Sequence, residues 1–97
     1  MGTYIMLLNW TDQGARTAKD TVSRARAFRE TSKAMGATIG AMHWTLGTYD
    51  LVTSFDAPDD ETATRLGLAL AALGNVRSTT MRAFGEEEMQ RIIGGLK

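Results

Sequence analysis

The first apolar segment of the chain, residues 3–9, is hydrophobic on both of its sides. Its β-branched, aromatic and aliphatic residues are followed by the turn-prone residues 11–14, and this pattern predicts a strand. Because successive strand side chains point to opposite sides, the fold must supply a covering layer for each side. One side carries Tyr4, Met6, Leu8 and Trp10, and the other carries Ile5 and Leu7.

Helical and strand patterns alternate along the rest of the chain. Apolar residues recur at helical spacing in two segments, and three other segments have the residue content of strands. Three consecutive glutamates followed by an apolar stripe predict one more helix near the carboxyl end. The predicted strands are residues 37–44, 49–55 and 76–84, and the predicted helices are residues 22–35, the segment between Pro58 and Gly74, and the segment from Glu86 onward.

The order strand, helix, strand, strand, helix, strand predicts an α+β fold of the ferredoxin-like, split βαβ type. In this βαββαβ arrangement an antiparallel sheet carries helices on one face, and the last helix is an addition at the C-terminus. No linker divides the chain, so residues 1–97 are predicted to form a single domain. The second face of the sheet has no helix. We expect that open face, carrying Tyr4, Met6, Leu8 or Trp10, to be covered by a second copy in a homodimer or higher homo-oligomer.

Composition excludes several classes of function. Eleven basic and eleven acidic residues leave no net charge, so neither a nucleic-acid nor a membrane partner is expected. Without cysteine, and with one histidine, the chain lacks the usual zinc ligand sets, and no metal or other cofactor is predicted. No segment approaches the about 20 apolar residues that span a bilayer, and no signal-peptide pattern is present. We therefore expect a cytoplasmic protein.

The predicted topology places the ends of the first and second strands beside the beginnings of the third and fourth. Most of the unusual polar and aromatic residues gather at this end of the sheet. Aromatic rings can form the walls of a small-molecule pocket, and a few polar side chains can orient the ligand. The predicted ligand-binding residues are Asn9, Trp10, His43, Tyr49, Asp50 and Arg77.

Three of these residues, His43, Tyr49 and Asp50, are also candidates for catalysis, with Asn9 as an alternative donor to an oxyanion. Asp50 can orient His43 as a general base, and either Asp50 or His43 can itself remove a proton. Tyr49 or Asn9 can then hold an oxyanion. This chemistry would suit a phenolic or enolic substrate.

Each candidate also has an alternative structural role. His43 is typical of a surface or interface residue, and Tyr49 of a ring that packs in the interior. Asp50 can instead accept hydrogen bonds from the backbone or from Thr45, or pair with Arg77. The two tryptophans, Trp10 and Trp44, are more typical of core or dimer contacts than of stacking platforms.

Four blocks of sequence carry a resemblance to a known family. They are LNWTDQG at residues 8–14, WTLGTYD at 44–50, APDDE at 57–61 and LGNVR at 73–77, and they resemble the GYD domain family over nearly the whole chain. Gly47, Tyr49 and Asp50 match the motif after which the family is named. His43 departs from the pattern, where an aromatic residue such as tyrosine is expected. The resemblance implies a dimeric α/β barrel, in which small ferredoxin-like subunits pair through their sheets, and it assigns no reaction.

Three functions stay open at the level of sequence. The first is a homo-oligomeric domain that binds a small molecule in a pocket between helices and sheet, at the Trp10, His43, Tyr49 and Asp50 end. The second is a cofactor-free monooxygenase or isomerase that acts on a phenolic or enolic substrate. The third is a structural interaction module without a ligand. Independently of function, Gly47 is expected to have a positive φ that permits the turn between the two middle strands.

Overall fold

The computed structural model describes residues 1–97 and has four strands, four α-helices and one short 3-10 helix. The strands are β1 (Gly2–Trp10), β2 (Thr38–Trp44), β3 (Leu51–Ala57) and β4 (Val76–Ala83). The helices are α1 (Asp12–Arg16), α2 (Thr21–Ala34), α3 (Asp60–Ala72) and α4 (Glu86–Gly94), and the 3-10 helix is Ala18–Asp20.

The four strands form one antiparallel sheet in the order β2-β3-β1-β4. β1 pairs with β3 along one edge and with β4 along the other, and β2 pairs with β3. β1 and β2 therefore run in one direction and β3 and β4 in the other. This topology confirms the predicted ferredoxin-like α+β fold with an additional C-terminal helix.

The core lies between the sheet and helices α2 and α3. From the sheet it receives alternate residues of β1 and β3, which are opposite each other in register. Tyr4 stacks on Phe55, with ring centroids 5.1 Å apart, and Met6 is completely buried. The helices contribute Phe28, Ala63, Leu66 and Leu70 to the same cluster.

The prediction for the open face of the sheet was wrong. Tyr4, Met6 and Leu8 pack under the helices, whereas Ile5 and Leu7 lie on the side without helices and are half-buried. The neighbouring strand β3 shows why: its residues in register with the Tyr4 side include Leu51 and Phe55, while the opposite side of β3 is more polar. The larger apolar set buries more surface against α2 and α3.

Side-chain hydrogen bonds cap the N-termini of α1 and α3. The Asp59 carboxylate accepts hydrogen bonds from the backbone N–H (2.8 Å) and the hydroxyl (2.7 Å) of Thr62, and so caps α3. These bonds hold the pKa of Asp59 below its ordinary value. Thr11 caps α1 by accepting from the N–H of Gly14 at 3.2 Å. The sequence predicted only a turn where α1 begins, because five residues are too few to show a helical period.

Gly14 lies where two backbones touch. A Cβ atom at this position would be 1.9 Å from the carbonyl oxygen of Asn75, in the connection between α3 and β4. The same connection accepts hydrogen bonds from Thr11, whose N–H donates to Asn75 O (3.0 Å) and whose hydroxyl donates to Gly74 O (2.5 Å). The end of β1 is thereby joined to the start of β4. At the other loop, Gly47 has φ +132°, which confirms the predicted positive φ.

The close approach at Gly14 predicts a large effect of a single methyl group. Gly14→Ala should lower the free energy of unfolding by about 3 kcal/mol, because the backbone of the α3–β4 connection must move to avoid the methyl group. The matched control is Gly67→Ala on α3, where an added Cβ meets no atom within 4 Å. That variant should be neutral or stabilised by up to about 1 kcal/mol. Urea denaturation measures both, and equal stabilities of the two variants would contradict the packing.

Candidate functional site

Asp50 connects the beginning of β3 to the end of β1. Its carboxylate Oδ2 accepts a hydrogen bond of 2.8 Å from the backbone N–H of Trp10, and its own N–H donates to the carbonyl of Leu8 at 2.9 Å. The regular pairing of β1 with β3 ends at Leu8 and Leu51, so the side chain supplies the acceptor that the strand no longer provides. Asp50 thus has a backbone-bonding role, one of the alternatives open from sequence.

The loop between β2 and β3 is closed by Thr45. Its N–H donates to Asp50 O at 2.9 Å, and its hydroxyl donates to Tyr49 O at 2.5 Å. Gly47 lies between Thr45 and Tyr49, and its positive φ allows the chain to reverse direction there. Gly47, Tyr49 and Asp50 therefore help to close this loop. Tyr49 and Asp50 are half-buried in it.

The two tryptophans make different contacts on the helix side of the sheet. The indole N–H of Trp44 donates to the hydroxyl of Thr21 at 3.0 Å and so ties β2 to the start of α2. Trp10 lies opposite Val76 in the register and packs against the core cluster. Its indole Nε1 atom is buried and has no hydrogen-bond partner within the chain.

Three of the predicted site residues lie on the open face instead. Leu7 faces that side, and the register places Leu7 opposite Val52 and Val52 opposite His43. Asn9, two residues after Leu7, lies directly opposite Arg77. His43 and Arg77 are exposed, and Asn9 is half-buried.

The six predicted ligand-binding residues therefore share one end of the sheet but not one side of it. Asn9, His43 and Arg77 lie on the open face, Trp10 lies on the helix side, and Tyr49 and Asp50 lie in the adjoining loop. The Asp50 carboxylate bonds to the Trp10 N–H rather than to His43 or Arg77. Ligand binding by this set stays a prediction.

Two cavities lie on the helix side of the sheet. The first, here called the α2–α3 cleft, has a volume of about 330 Å³ and is mostly apolar. The second is an open groove of about 820 Å³ between α3 and β4. Arg77, a residue of the edge strand β4 in register with Asn9 of the open face, is the one predicted site residue that also lines either cavity. The walls of the α2–α3 cleft include Phe28, Met42, Leu51, Leu70, Leu73 and Val76.

The sequence predicted a pocket between the helices and the sheet, but none of the predicted site residues lines the α2–α3 cleft. Its width depends on how far α2 and α3 stand apart on the sheet, which is a tertiary property. One signal was present: the inward faces of the two helices each carry a small residue, Ala25 and Ala69, beside the larger ones. Small facing side chains leave space when the backbones do not approach.

One end of the α3–β4 groove is held by a polar cluster. The Tyr4 hydroxyl donates to Asp60 Oδ1 at 2.5 Å, and this bond is the main reason that the pKa of Tyr4 is raised above its ordinary value. The Arg82 guanidinium lies 4.6 Å from the centre of the Phe84 ring and forms an ion pair of 2.9 Å with Glu88. That pair, through its hydrogen bond, lowers the pKa of Glu88 and links β4 to α4.

None of the helices combines the length and the hydropathy needed to cross a bilayer. No group of three or more His, Asp or Glu side chains is arranged to hold a metal ion.

Comparison with known proteins places the chain in a family. The model of the GYD domain matches residues 4–93, and the chain belongs to the GYD domain family. A relative from Thermus thermophilus is 34% identical over 84 residues, which is 86% of this chain and 88% of the relative. That relative is named a glutamine synthetase and cystathionine beta-lyase binding protein.

The contacts of Asp50 predict that its removal affects folding. Asp50→Ala leaves the Trp10 N–H without its acceptor and should lower the free energy of unfolding by about 1–3 kcal/mol. Asp50→Asn keeps a side-chain oxygen at the same place and should lose much less. Thermal and urea unfolding of both variants measure the difference. If Asp50→Ala were as stable as the unmodified protein, the hydrogen bond to Trp10 would contribute nothing to the free energy of unfolding. A ligand-binding role for Asp50 would then be the better explanation.

Proposed function

We propose that this protein is a self-associating binding module that uses the open face of its sheet to pair with a second copy and an exposed helix to bind other proteins. The observation that carries the proposal is the apolar centre of the open face. The assignment of the chain to the GYD family, together with the name of its Thermus thermophilus relative, supports a binding role.

The open face has an apolar centre that no part of the chain covers. In the register, Leu7 of β1 lies opposite Val52 of β3, and Ile5 of β1 lies opposite Met81 of β4. Met81 is 42% exposed, and the other three side chains are only half-buried. Contiguous apolar surface of this kind in a folded chain marks an interaction site. A second sheet packed at about 10 Å would bury all four side chains.

The total surface of the chain supports an interface of ordinary size. A compact monomer of 10.6 kDa should expose about 5,500 Å². This chain exposes 6583 Å², so the excess is on the order of 1,100 Å². A stable interface of standard size buries about 800 Å² on each partner. The excess belongs to the whole chain, including the exposed helix α4, and has the size of one such interface.

Helix α4 offers a second surface, which suits a protein partner. It contains no buried residue, and its apolar side chains are between 42% and 77% exposed, counting Leu96 two residues beyond its end. An amphipathic helix without a partner in its own chain can lay its apolar side into a groove of another protein. We assign to α4 the binding of metabolic enzymes, of the kind named for the relative, in the cytoplasm. The exposed apolar side chains are Met89, Ile92, Ile93 and Leu96.

Small-molecule binding is the second candidate function. Asn9, His43 and Arg77 lie beside the apolar centre of the open face, so a sheet-to-sheet dimer would enclose them at the subunit interface. An enclosed polar group next to apolar walls is the usual form of a ligand site. The enzyme alternative has less support, because the Asp50 carboxylate, which would orient His43, is engaged with the Trp10 N–H.

The proposed homo-oligomer predicts a clear effect of one charge. Leu7→Lys should convert the protein to a monomer or to aggregates, because an unpaired ammonium group would be buried between the two sheets. Val22→Lys is the control, since Val22 is an exposed apolar residue of α2 on the other side of the sheet. Light scattering coupled to gel filtration measures the mass of each variant. A monomeric unmodified protein at micromolar concentration would refute self-association.

The proposed role of α4 predicts the loss of protein binding by one substitution. Ile92→Asp should weaken binding to purified glutamine synthetase or cystathionine β-lyase by at least about tenfold, because it places a charge on the apolar side of α4. Leu68→Asp, on the exposed side of α3, should bind as the unmodified protein does. Surface plasmon resonance with each purified enzyme is the assay. No binding of the unmodified protein to either enzyme would contradict the proposal.

A further inference from the structure

The α2–α3 cleft lies on the helix side of the sheet, away from the open face proposed for self-association. Its walls are Met6, Leu8 and Leu51 from the sheet and Phe28 and Leu70 from the helices. A volume of about 330 Å³ falls within the range of small-molecule sites. It is also far larger than the voids usually left in close-packed interiors, which are few and seldom exceed the size of a water molecule. The cleft therefore suits an apolar occupant.

One charged residue lines this cleft, and no carboxylate neutralises it. Arg24 is half-buried and donates to the carbonyl oxygen of Thr17 (2.8 Å), to its hydroxyl (2.8 Å) and to the carbonyl of Gly14 (3.2 Å). All three acceptors are neutral. The ion pair of this chain joins Arg82 and Glu88 instead. Arg24 is thus held in place by the segment before α2 while its positive charge stays uncompensated.

Two hydroxyl groups lie on the same stripe of α2 as Arg24. Thr21 and Thr31 line the cleft with Arg24 and Phe28, at the spacing of one helical face. The Thr21 oxygen accepts from the indole N–H of Trp44, which leaves its own proton for a further acceptor. The stripe therefore runs from donors at Thr21 and Arg24 to apolar surface at Phe28.

From this arrangement we infer that the α2–α3 cleft binds a small apolar carboxylate, with the carboxylate against Arg24 and Thr21 and the apolar part along Phe28 and Leu70. Guanidinium groups bind carboxylates through charge-assisted, often paired hydrogen bonds. The cleft volume corresponds to about eleven water molecules at roughly 30 Å³ each, so the ligand has about ten non-hydrogen atoms. Medium-chain acyl or aryl acids have this size.

Octanoate and octanamide are matched probes, because they have the same number of non-hydrogen atoms and differ in charge. Isothermal titration calorimetry of the unmodified protein should give octanoate at least about tenfold tighter binding than octanamide, the scale of a hydrogen bond to a charged group. Arg24→Gln should abolish this preference, and Arg24→Lys should restore part of it. Arg26→Gln, an exposed position on the same helix that does not line the cleft, should bind as the unmodified protein does.

The location of the ligand needs its own test. Ala69→Leu fills the cleft from α3 and should weaken binding of both probes by more than tenfold. In the unmodified protein, octanoate should shift the NMR signals of the Met6 and Met42 methyl groups, which does not depend on the folding of a variant. Absence of octanoate binding, unshifted methionine signals, or an unchanged preference in Arg24→Gln would each overturn the inference.

Ligand binding in the α2–α3 cleft and self-association through the open face can be separated by substitution. Leu7 lies on the open face, so Leu7→Lys should disrupt the homo-oligomer, and the monomer fraction isolated by gel filtration should keep octanoate binding. Filling the cleft with Ala69→Leu should leave the mass of the assembly unchanged. Loss of octanoate binding in Leu7→Lys, with the fold intact by circular dichroism, would place the ligand at the subunit interface and would overturn the assignment to the cleft.

Discussion

β1 is the element on which the remaining structure depends, because it is hydrogen-bonded along both edges and apolar on both faces. Its backbone pairs with β3 on one side and β4 on the other. Tyr4, Met6 and Leu8 fill the core beneath α2 and α3, whereas Ile5 and Leu7 form the centre of the open face. A strand of this composition is typical of sheets covered on both faces. The single chain covers one face, and the need for a second cover is the physical basis of the proposed self-association.

The conspicuous sequence motif stabilises the end of this same strand. Asp50 accepts the Trp10 N–H where β1 extends beyond β3, and Thr45 closes the loop that carries Gly47. Gly14 permits the contact between the segment after β1 and the α3–β4 connection. A motif of this kind holds the end of the central strand in a fixed position whether or not a ligand binds nearby. Its residues therefore have a packing role that is independent of any function at Asn9, His43 or Arg77.

Much of the fold could be predicted from the sequence, because the helical stripes and the strand segments are strong and occur in a characteristic order. The side of β1 that faces the helices could not be read from β1 alone, since both sides are apolar. In β3 the apolar side is clear, because Leu51 and Phe55 lie on one side and Ser54 and Asp56 on the other. The pairing with β3 then determines which side of β1 faces the helices. A pocket between helices and sheet was predicted, but the residues that line the α2–α3 cleft were not, because the distance between two helices is set by tertiary packing. The predicted site residues are divided between the two faces of the sheet because of the strand register, and no single segment of sequence specifies that register.

A second copy of the chain is proposed to cover the Ile5 and Leu7 side of β1. Isotope-filtered NMR on a mixture of labelled and unlabelled protein tests it directly, because only contacts between different copies give a signal. Intermolecular NOEs are expected to the methyl groups of Ile5, Leu7, Val52 and Met81, which the register pairs as Leu7 with Val52 and Ile5 with Met81. Intermolecular NOEs confined to α4, or none at all in a sample whose mass is that of one chain, would contradict it.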